Sequence, residues 1–126
     1  MADAPAIDLE HLKRYSGGDA DLEAEVFAMF RQQVEMWMRL LDPTGDEEGW
    51  ASATHSIKGS ARSIGAHALA KACENAENQC QAGATARSVS AQEVQACIDN
   101  ALKFIDQHTY KMRIQALRKS SQRENS

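Results

Sequence analysis

The segment ATHSIKGSARSIGAHALAKACENAE, residues 53–77, carries the clearest structural pattern in the chain. At about 100° per residue, apolar side chains in this segment and just before it recur on a single helix face. That face consists of Trp50, Ala53, Ile57, Ala61 and Ile64. Gly65 then interrupts the pattern, and a second apolar face follows. The pattern predicts two amphipathic helices joined by a tight turn at Gly65.

Capping residues mark the starts of the earlier predicted helices. Asp19 follows two glycines and can accept the free amides at a helix start, which predicts a helix from Asp19 to Leu41. After the proline and glycine that follow, Thr44 or Asp46 is expected to cap the next helix, with acidic residues in its first turn. That helix should continue to Ile64.

The second half of the chain contains two further helical patterns. The third helix is expected to end near Gly83. Ser90, with Glu93 three residues later, forms a capping-box pattern, which predicts that a long fourth helix starts there and ends near Leu117. A shorter helix over residues 7–14 is expected to lie across one end of the molecule.

Four amphipathic helices with short connections predict an all-α fold, an antiparallel up-and-down four-helix bundle with a short extra N-terminal helix. A chain of 126 residues has enough material for one such core. Residues 1–118 are expected to form this single domain, followed by a polar, disordered tail at residues 119–126.

The composition argues against several kinds of partner and location. A net charge of −4 gives no general attraction to nucleic acid or to anionic lipid. The chain has neither a signal peptide nor a run of ~20 apolar residues, so a cytoplasmic protein without membrane partners is expected. The starting methionine and the polar end favour a free-standing protein. Three cysteines without a CxxC pair predict reduced thiols.

His55 lies opposite the centre of the apolar face and is expected to point into solvent. Lys58, three residues on, is within side-chain reach and could balance the charge of a phosphoryl group on the imidazole. Arg62 could extend that positive field. Gly59 costs about 1 kcal/mol relative to alanine inside a helix, but it leaves space beside the ring for a phosphoryl group and a partner.

The run HSIKGS at residues 55–60, followed by an IGA turn and LAKACENAE, resembles the histidine phosphotransfer (HPt) domains of two-component phosphorelays. It is also similar to the phosphorylatable domain of chemotaxis kinases. The resemblance implies that His55 is the phosphoacceptor, that Lys58 contacts the phosphoryl group or the partner, and that Gly59 provides clearance. Glu77 matches the position of a polar residue that orients the imidazole in such domains.

The mechanism implied by the resemblance is a phosphoryl relay between response-regulator receiver domains, including those of hybrid histidine kinases. A neutral imidazole nitrogen takes the group from one phosphoaspartate and passes it to another aspartate. Mg²⁺ is expected in the partner receiver, and no cofactor in this chain. Because no nucleotide loop or kinase motif is visible, the chain is expected to be a monomeric phosphocarrier that does not use ATP.

Two other functions stay open at this point. The first is a helical module that docks receivers or other helices without carrying phosphate, and it differs from the relay in leaving His55 unmodified. The second is a metal-dependent helical hydrolase. Against the hydrolase, the sequence has no HExxH motif, no ExxH pair and no carboxylate cluster expected to face a bundle interior.

Most other residues that can carry chemistry are expected to be structural. Ordinary surface or partly buried positions are expected for His11, His67 and His108. Core packing is expected for Cys73, Cys80 and Cys97, with metal binding together with His67 as the alternative. Solvated acids are expected at Glu23, Glu25, Glu47 and Glu48. An apolar docking patch beside His55 could include Phe27, Met29 or Met36.

Overall fold

The computed structural model describes residues 5–124, and all the regular structure in that range is helical. The five helices are α1 (Leu9–Ser16), α2 (Ala20–Met38), α3 (Glu47–Ile64), α4 (His67–Asn78) and α5 (Ala84–Glu124). Helix α2 contacts α3, α3 contacts α4, α4 contacts α5, and α5 contacts α2, which closes a four-helix bundle. Helix α1 packs on α2 and α3. The predicted all-α bundle with a short N-terminal helix is confirmed.

The core lies between the four long helices and includes the whole apolar face predicted on α3. All five residues of that face, from Trp50 to Ile64, are at most 1% exposed. The Trp50 indole also donates a hydrogen bond of 2.7 Å to the Ala76 carbonyl oxygen on α4. A buried indole N–H needs such an acceptor, so this bond fixes how α3 and α4 lie against each other. Among residues 5–124, no helix is long and apolar enough to cross a membrane.

Aspartate caps start the first long helices, as the sequence predicts. The Asp19 carboxylate accepts amides of the first turn of α2. Of the two candidates for α3, the structure uses Asp46, whose Oδ1 accepts the Gly49 amide at 2.7 Å. Thr44 stays in the preceding loop, where its hydroxyl donates to Asp42 at 2.8 Å.

Two helices end earlier than predicted. Helix α2 stops at Met38 instead of Leu41, because the Leu41 amide bonds to the carbonyl oxygen three residues back. Helix α4 stops at Asn78, well before Gly83, and the amide after it also bonds to the carbonyl three residues back. Such bonds tighten the last turn and end an α-helix.

The predicted capping box at Ser90 is wrong. Helix α5 begins at Ala84, directly after Gly83, and Ser90 is a buried residue inside it. Its hydroxyl donates to the Arg87 carbonyl oxygen at 3.0 Å, so the side chain is satisfied within the helix. The spacing to Glu93 matches a capping box only by coincidence.

Helix α5 also continues past the predicted end at Leu117, through to Glu124. Residues 119–124, assigned above to a disordered tail, are therefore helical. Neither glycine nor proline interrupts this segment, and four of its six residues are good helix formers. Residues 125–126 of the predicted tail and residues 1–4 of the predicted domain lie outside the described part of the chain.

Helix α1 is tied to the turn between α3 and α4. The Asp8 carboxylate caps α1, and the Asp8 amide donates to the Gly65 carbonyl oxygen at 2.9 Å. Gly65 has a φ of 76°, and a Cβ there would lie 2.9 Å from the Asp8 carbonyl oxygen. Ile7 and Leu12 are fully buried beside this contact. The predicted short helix is confirmed, two residues further along the chain.

We predict that Gly65→Ala lowers the free energy of unfolding by about 1–3 kcal/mol, because it combines a left-handed backbone with a close contact. Gly59→Ala is the matched control. A Cβ at Gly59 meets nothing within 4 Å, so this change should stabilise the helix by about 0.5–1 kcal/mol. Urea denaturation measures both. Effects of the same sign for the two variants would contradict the prediction.

Candidate functional site

His55 is exposed on the face of α3 that points away from the core, as the sequence predicts. It separates two shallow surface recesses. The α4-side recess, between α3 and α4, is lined by Ala51, Ser52, His55 and Glu77. The α2-side recess, between α2 and α3, is lined by Gln33, Trp37, His55, Ser56, Gly59, Ser60 and Ser63. The imidazole is therefore accessible from both sides.

Lys58 and Glu77 form an ion pair that joins α3 to α4. The Lys58 ammonium lies 2.9 Å from each carboxylate oxygen of Glu77, and the two side chains are 13% and 28% exposed. Oε2 accepts the hydrogen bond, whereas Oε1 is buried and accepts none from the described residues. The ammonium expected to stand beside His55 is thus turned towards α4, and its charge is balanced.

Gly59 and Arg62 differ in how they relate to the site. Gly59 is exposed, lines the α2-side recess, and has open space where a Cβ would lie. The space beside Gly59 is therefore open, and its use by a phosphoryl group stays a prediction. Arg62 is exposed on a later turn of α3 and lines neither recess. Its contribution is limited to a positive field at longer range.

Two polar residues of the site were missed by sequence reasoning. The Ser60 hydroxyl donates to Gln33 Oε1 at 2.7 Å and so joins α3 to α2 across the α2-side recess. The available signals were a polar residue beside the apolar face of α2 and a serine directly after Gly59. Neither signal predicts a contact between helices, because the contact depends on how the two helices pack.

The predicted apolar docking patch is partly wrong. Phe27 is only 4% exposed and belongs to the core. Met29 and Met36 are 58% and 50% exposed. Met29 lines an apolar groove that shares Gln33 and Ser63 with the α2-side recess. Exposed apolar surface therefore continues from the recess along α2, in a direction that the sequence could not specify.

The prediction that Glu23 is solvated is wrong. Its side chain is 9% exposed and lies 3.6 Å from the ring of His108 on α5. His108 packs between Phe27 and Phe104, which makes it partly buried, as expected. Glu23 is buried because its turn of α2 faces α5. The other three acids of that group, Glu25, Glu47 and Glu48, are exposed as predicted.

The remaining histidines contact each other at the α1 end. His67 is exposed, and its Nε2 lies 3.2 Å from Asp8 Oδ2. The rings of His11 and His67 meet edge to face at 5.9 Å. Hydrogen bonds from the His11 amide and the His67 ring lower the pKa of Asp8. Both histidines are ordinary surface or partly buried residues, as expected.

Cys73 is buried in the core, and Cys80 and Cys97 are partly buried against it, as predicted. Burial raises the pKa of Cys73 to about 12, with further contributions from Cys97 and Glu77, and burial also raises the pKa of Cys97. The Cys80 thiol lies 3.5 Å from the Glu47 carbonyl oxygen. Across residues 5–124, no three His, Cys, Asp or Glu side chains come together to hold a metal ion.

Comparisons with known proteins agree on one family. The family model described as Hpt domain matches residues 20–119. The histidine phosphotransferase ShpA from Caulobacter crescentus is 33% identical, with a TM-score of 0.74 over 89% of this chain and 98% of that protein. The histidine-containing phosphotransfer protein ZmHP2 from maize, 20% identical, has the same fold, with a TM-score of 0.72 over 89% and 88% of the two chains. No curated protein sequence gives a match.

We predict that Lys58→Met lowers the free energy of unfolding by about 1–2 kcal/mol, because it leaves the partly buried Glu77 carboxylate without its cation. Removing both charges, in Lys58→Met with Glu77→Met, should recover most of this loss. Lys71→Met, an exposed lysine on α4, is the control and should change stability by less than about 0.5 kcal/mol. Urea denaturation of the four proteins provides the comparison. Equal losses for the two single lysine variants would refute a stabilising ion pair.

Proposed function

Because the chain belongs to the Hpt domain family of histidine phosphotransfer proteins, we propose that His55 carries its phosphoryl group. The chain is a phosphotransfer protein of a two-component phosphorelay, and the docking module that carries no phosphate is not favoured. All four histidines lie among the described residues. His11 and His108 are partly buried, and His67 contacts a carboxylate. Only His55 opens onto two recesses, and this observation carries the assignment.

Glu77 is proposed to orient the imidazole. Glu77 lines the α4-side recess together with His55. Its Oε1 is buried and lies 2.9 Å from the Lys58 ammonium, and it accepts no hydrogen bond from residues 5–124. The N–H of the imidazole Nδ1 would give this oxygen a donor in addition to the nearby Lys58 ammonium. Accepting that hydrogen bond would fix the tautomer and leave the Nε2 lone pair free as the nucleophile.

The proposed reaction is the reversible transfer of one phosphoryl group between a receiver aspartate and His55. The Nε2 lone pair of His55 attacks the phosphorus of a receiver phosphoaspartate, the P–O bond breaks, and the aspartate leaves as a carboxylate. The N–P bond that forms leaves the proton on Nδ1, where the Glu77 carboxylate stabilises the positive ring. Attack on this phosphorus by the aspartate of a second receiver reverses the steps.

The charges around His55 support a carrier that relies on its partner for catalysis. The charge of the Lys58 ammonium is already balanced by the Glu77 carboxylate, so only part of that positive charge is available to a phosphoryl group. Arg62 adds a weaker field. The Mg²⁺ that neutralises charge during phosphoryl transfer is proposed to be held by the receiver. This chain supplies the nucleophile, its orientation and the clearance at Gly59.

The partners follow from the family and from the exposed surface. Hpt domains interact with the receiver domains and kinases of two-component systems. We place receiver docking, including receivers of hybrid kinases, on the two recesses and the adjoining apolar groove that contains Met29. Hpt proteins are phosphocarriers without a kinase domain, and this chain is proposed to act as a cytoplasmic monomer that does not itself use ATP.

His55→Gln should abolish phosphoryl transfer from labelled phosphoreceivers, because the amide that replaces the imidazole is not a nucleophile. The measurement is incubation with a panel of phosphorylated receivers from the same genome, followed by acid treatment, which releases phosphoryl groups from histidine. His67→Gln is the matched control and should accept label at the wild-type rate. Wild-type labelling of the His55 variant would remove the assignment.

Gly59→Ala should slow transfer while leaving the fold intact. The added methyl group enters the space that the phosphoryl group and the receiver need. We expect kcat/KM to fall by about tenfold, which corresponds to a loss of about 1.4 kcal/mol in transition-state binding. Stopped-flow or quench-flow transfer from one receiver measures this value, and urea denaturation confirms folding. A folded variant with unchanged kcat/KM would show that Gly59 has no clearance role.

A further inference from the structure

The hydrogen bond between Ser60 and Gln33 engages the oxygen of the Gln33 amide and leaves its nitrogen without a partner among the described residues. A side-chain amide has an acceptor oxygen and an NH₂ group with two donors. The Gln33 oxygen accepts the Ser60 hydroxyl at 2.7 Å, and no described residue makes a hydrogen bond with its nitrogen. Because Gln33 lines the same recess as His55, its NH₂ group is a donor available to a group bound there.

Two other donors of this recess, the hydroxyls of Ser60 and Ser63, are already engaged. The Ser56 hydroxyl and the Trp37 indole N–H also belong to residues that line it, and neither makes a hydrogen bond with a described residue. The Ser63 hydroxyl donates to the Ser60 carbonyl oxygen at 2.7 Å, and the Ser60 hydroxyl donates to Gln33. Lys58 is held by Glu77 on the other side of His55. Apart from the imidazole, no ionisable side chain lines the α2-side recess in residues 5–124. An anion entering there must be recognised mainly by neutral donors.

A phosphoryl group on His55 Nε2 would be such an anion. It carries close to two negative charges at neutral pH and three strong acceptor oxygens. Gly59 keeps the wall of the α2-side recess open next to the ring, where a Cβ would meet nothing within 4 Å. Open space at Gly59 and an NH₂ group whose amide is held by Ser60 together suit a phosphoryl oxygen better than an apolar ligand.

We propose that Gln33 is a phosphoryl-binding residue, whose amide N–H donates to an oxygen of the phosphoryl group on His55. Ser60 is its positioning residue, because its hydroxyl holds the amide oxygen and so turns the nitrogen towards the recess. The inference rests on the proposed role of His55. It implies that this neutral donor stabilises phosphohistidine without requiring Lys58 to leave Glu77.

The test is the equilibrium between a phosphorylated receiver and the phosphorylated form of this protein, a ratio that a purely structural role does not change. Gln33→Glu keeps the shape but replaces the donor with a negative charge, and should shift the equilibrium away from phosphohistidine by about tenfold. Gln33→Ala should shift it by about threefold, and Ser60→Ala should give a smaller shift in the same direction. Gln32→Glu, on the exposed neighbouring position, is the matched control and should leave the equilibrium unchanged.

A second measurement removes the receiver altogether. A ³¹P NMR pH titration of the purified phosphorylated protein should show a higher phosphoryl pKa in Gln33→Glu than in Gln32→Glu, because a lost donor and an added charge both disfavour the dianion. Equilibrium constants and phosphoryl pKa values in the Gln33 variants equal to those of the control would overturn this inference while His55→Gln still abolished labelling. Labelling of His55→Gln would instead overturn the proposed function.

Discussion

The burial of one face of α3 is the constraint on which the rest of the structure depends. This helix contacts α1, α2 and α4, and its buried face is almost fully excluded from solvent. The Trp50 indole, bonded to a carbonyl on α4, prevents the helix from rotating without leaving a buried donor unpaired. Since residues on a helix are related by fixed angles, fixing the buried face also fixes the direction of His55.

Two polar links between helices frame that histidine. On one side, Lys58 and Glu77 join α3 to α4, and on the other, Ser60 and Gln33 join α3 to α2. Both links lie within two turns of His55. They therefore hold the exposed side of α3 to its two neighbouring helices, in addition to the packing of its buried face. The proposed nucleophile therefore has fixed polar neighbours although it faces solvent, which matters for a group proposed to meet different partners.

The sequence predicts those features that depend on local periodicity and capping. The helical periodicity of the apolar residues is enough to place His55 on the outer face of α3. Asp19 and Asp46 cap their helices, as their positions in the sequence suggest. The wrong predictions for Glu23 and Phe27 concern contacts between helices. The burial of Glu23 and Phe27 depends on how α2 is rotated towards α5, and no spacing within one helix contains that information.

The same limit applies to the site itself. The sequence suggests Lys58 as a neighbour of His55, but its pairing with Glu77 depends on the distance between α3 and α4 after packing. The Ser90 error has a different origin, because a serine with a glutamate three residues later fits a helix start and a helix interior equally well. The burial of Ser90 in the assembled bundle distinguishes the two.

The Lys58–Glu77 ion pair affects the electrostatic potential that the protein presents to its partners. In the unloaded protein, the charges of Lys58 and Glu77 cancel each other, so the ion pair adds no net charge beside the proposed nucleophile. Loading adds a phosphoryl group with almost two negative charges, which the positive ring of phosphohistidine offsets in part. The two forms therefore present different potentials to the same docking surface, which lets one small face distinguish the donor that should depart from the acceptor that should arrive.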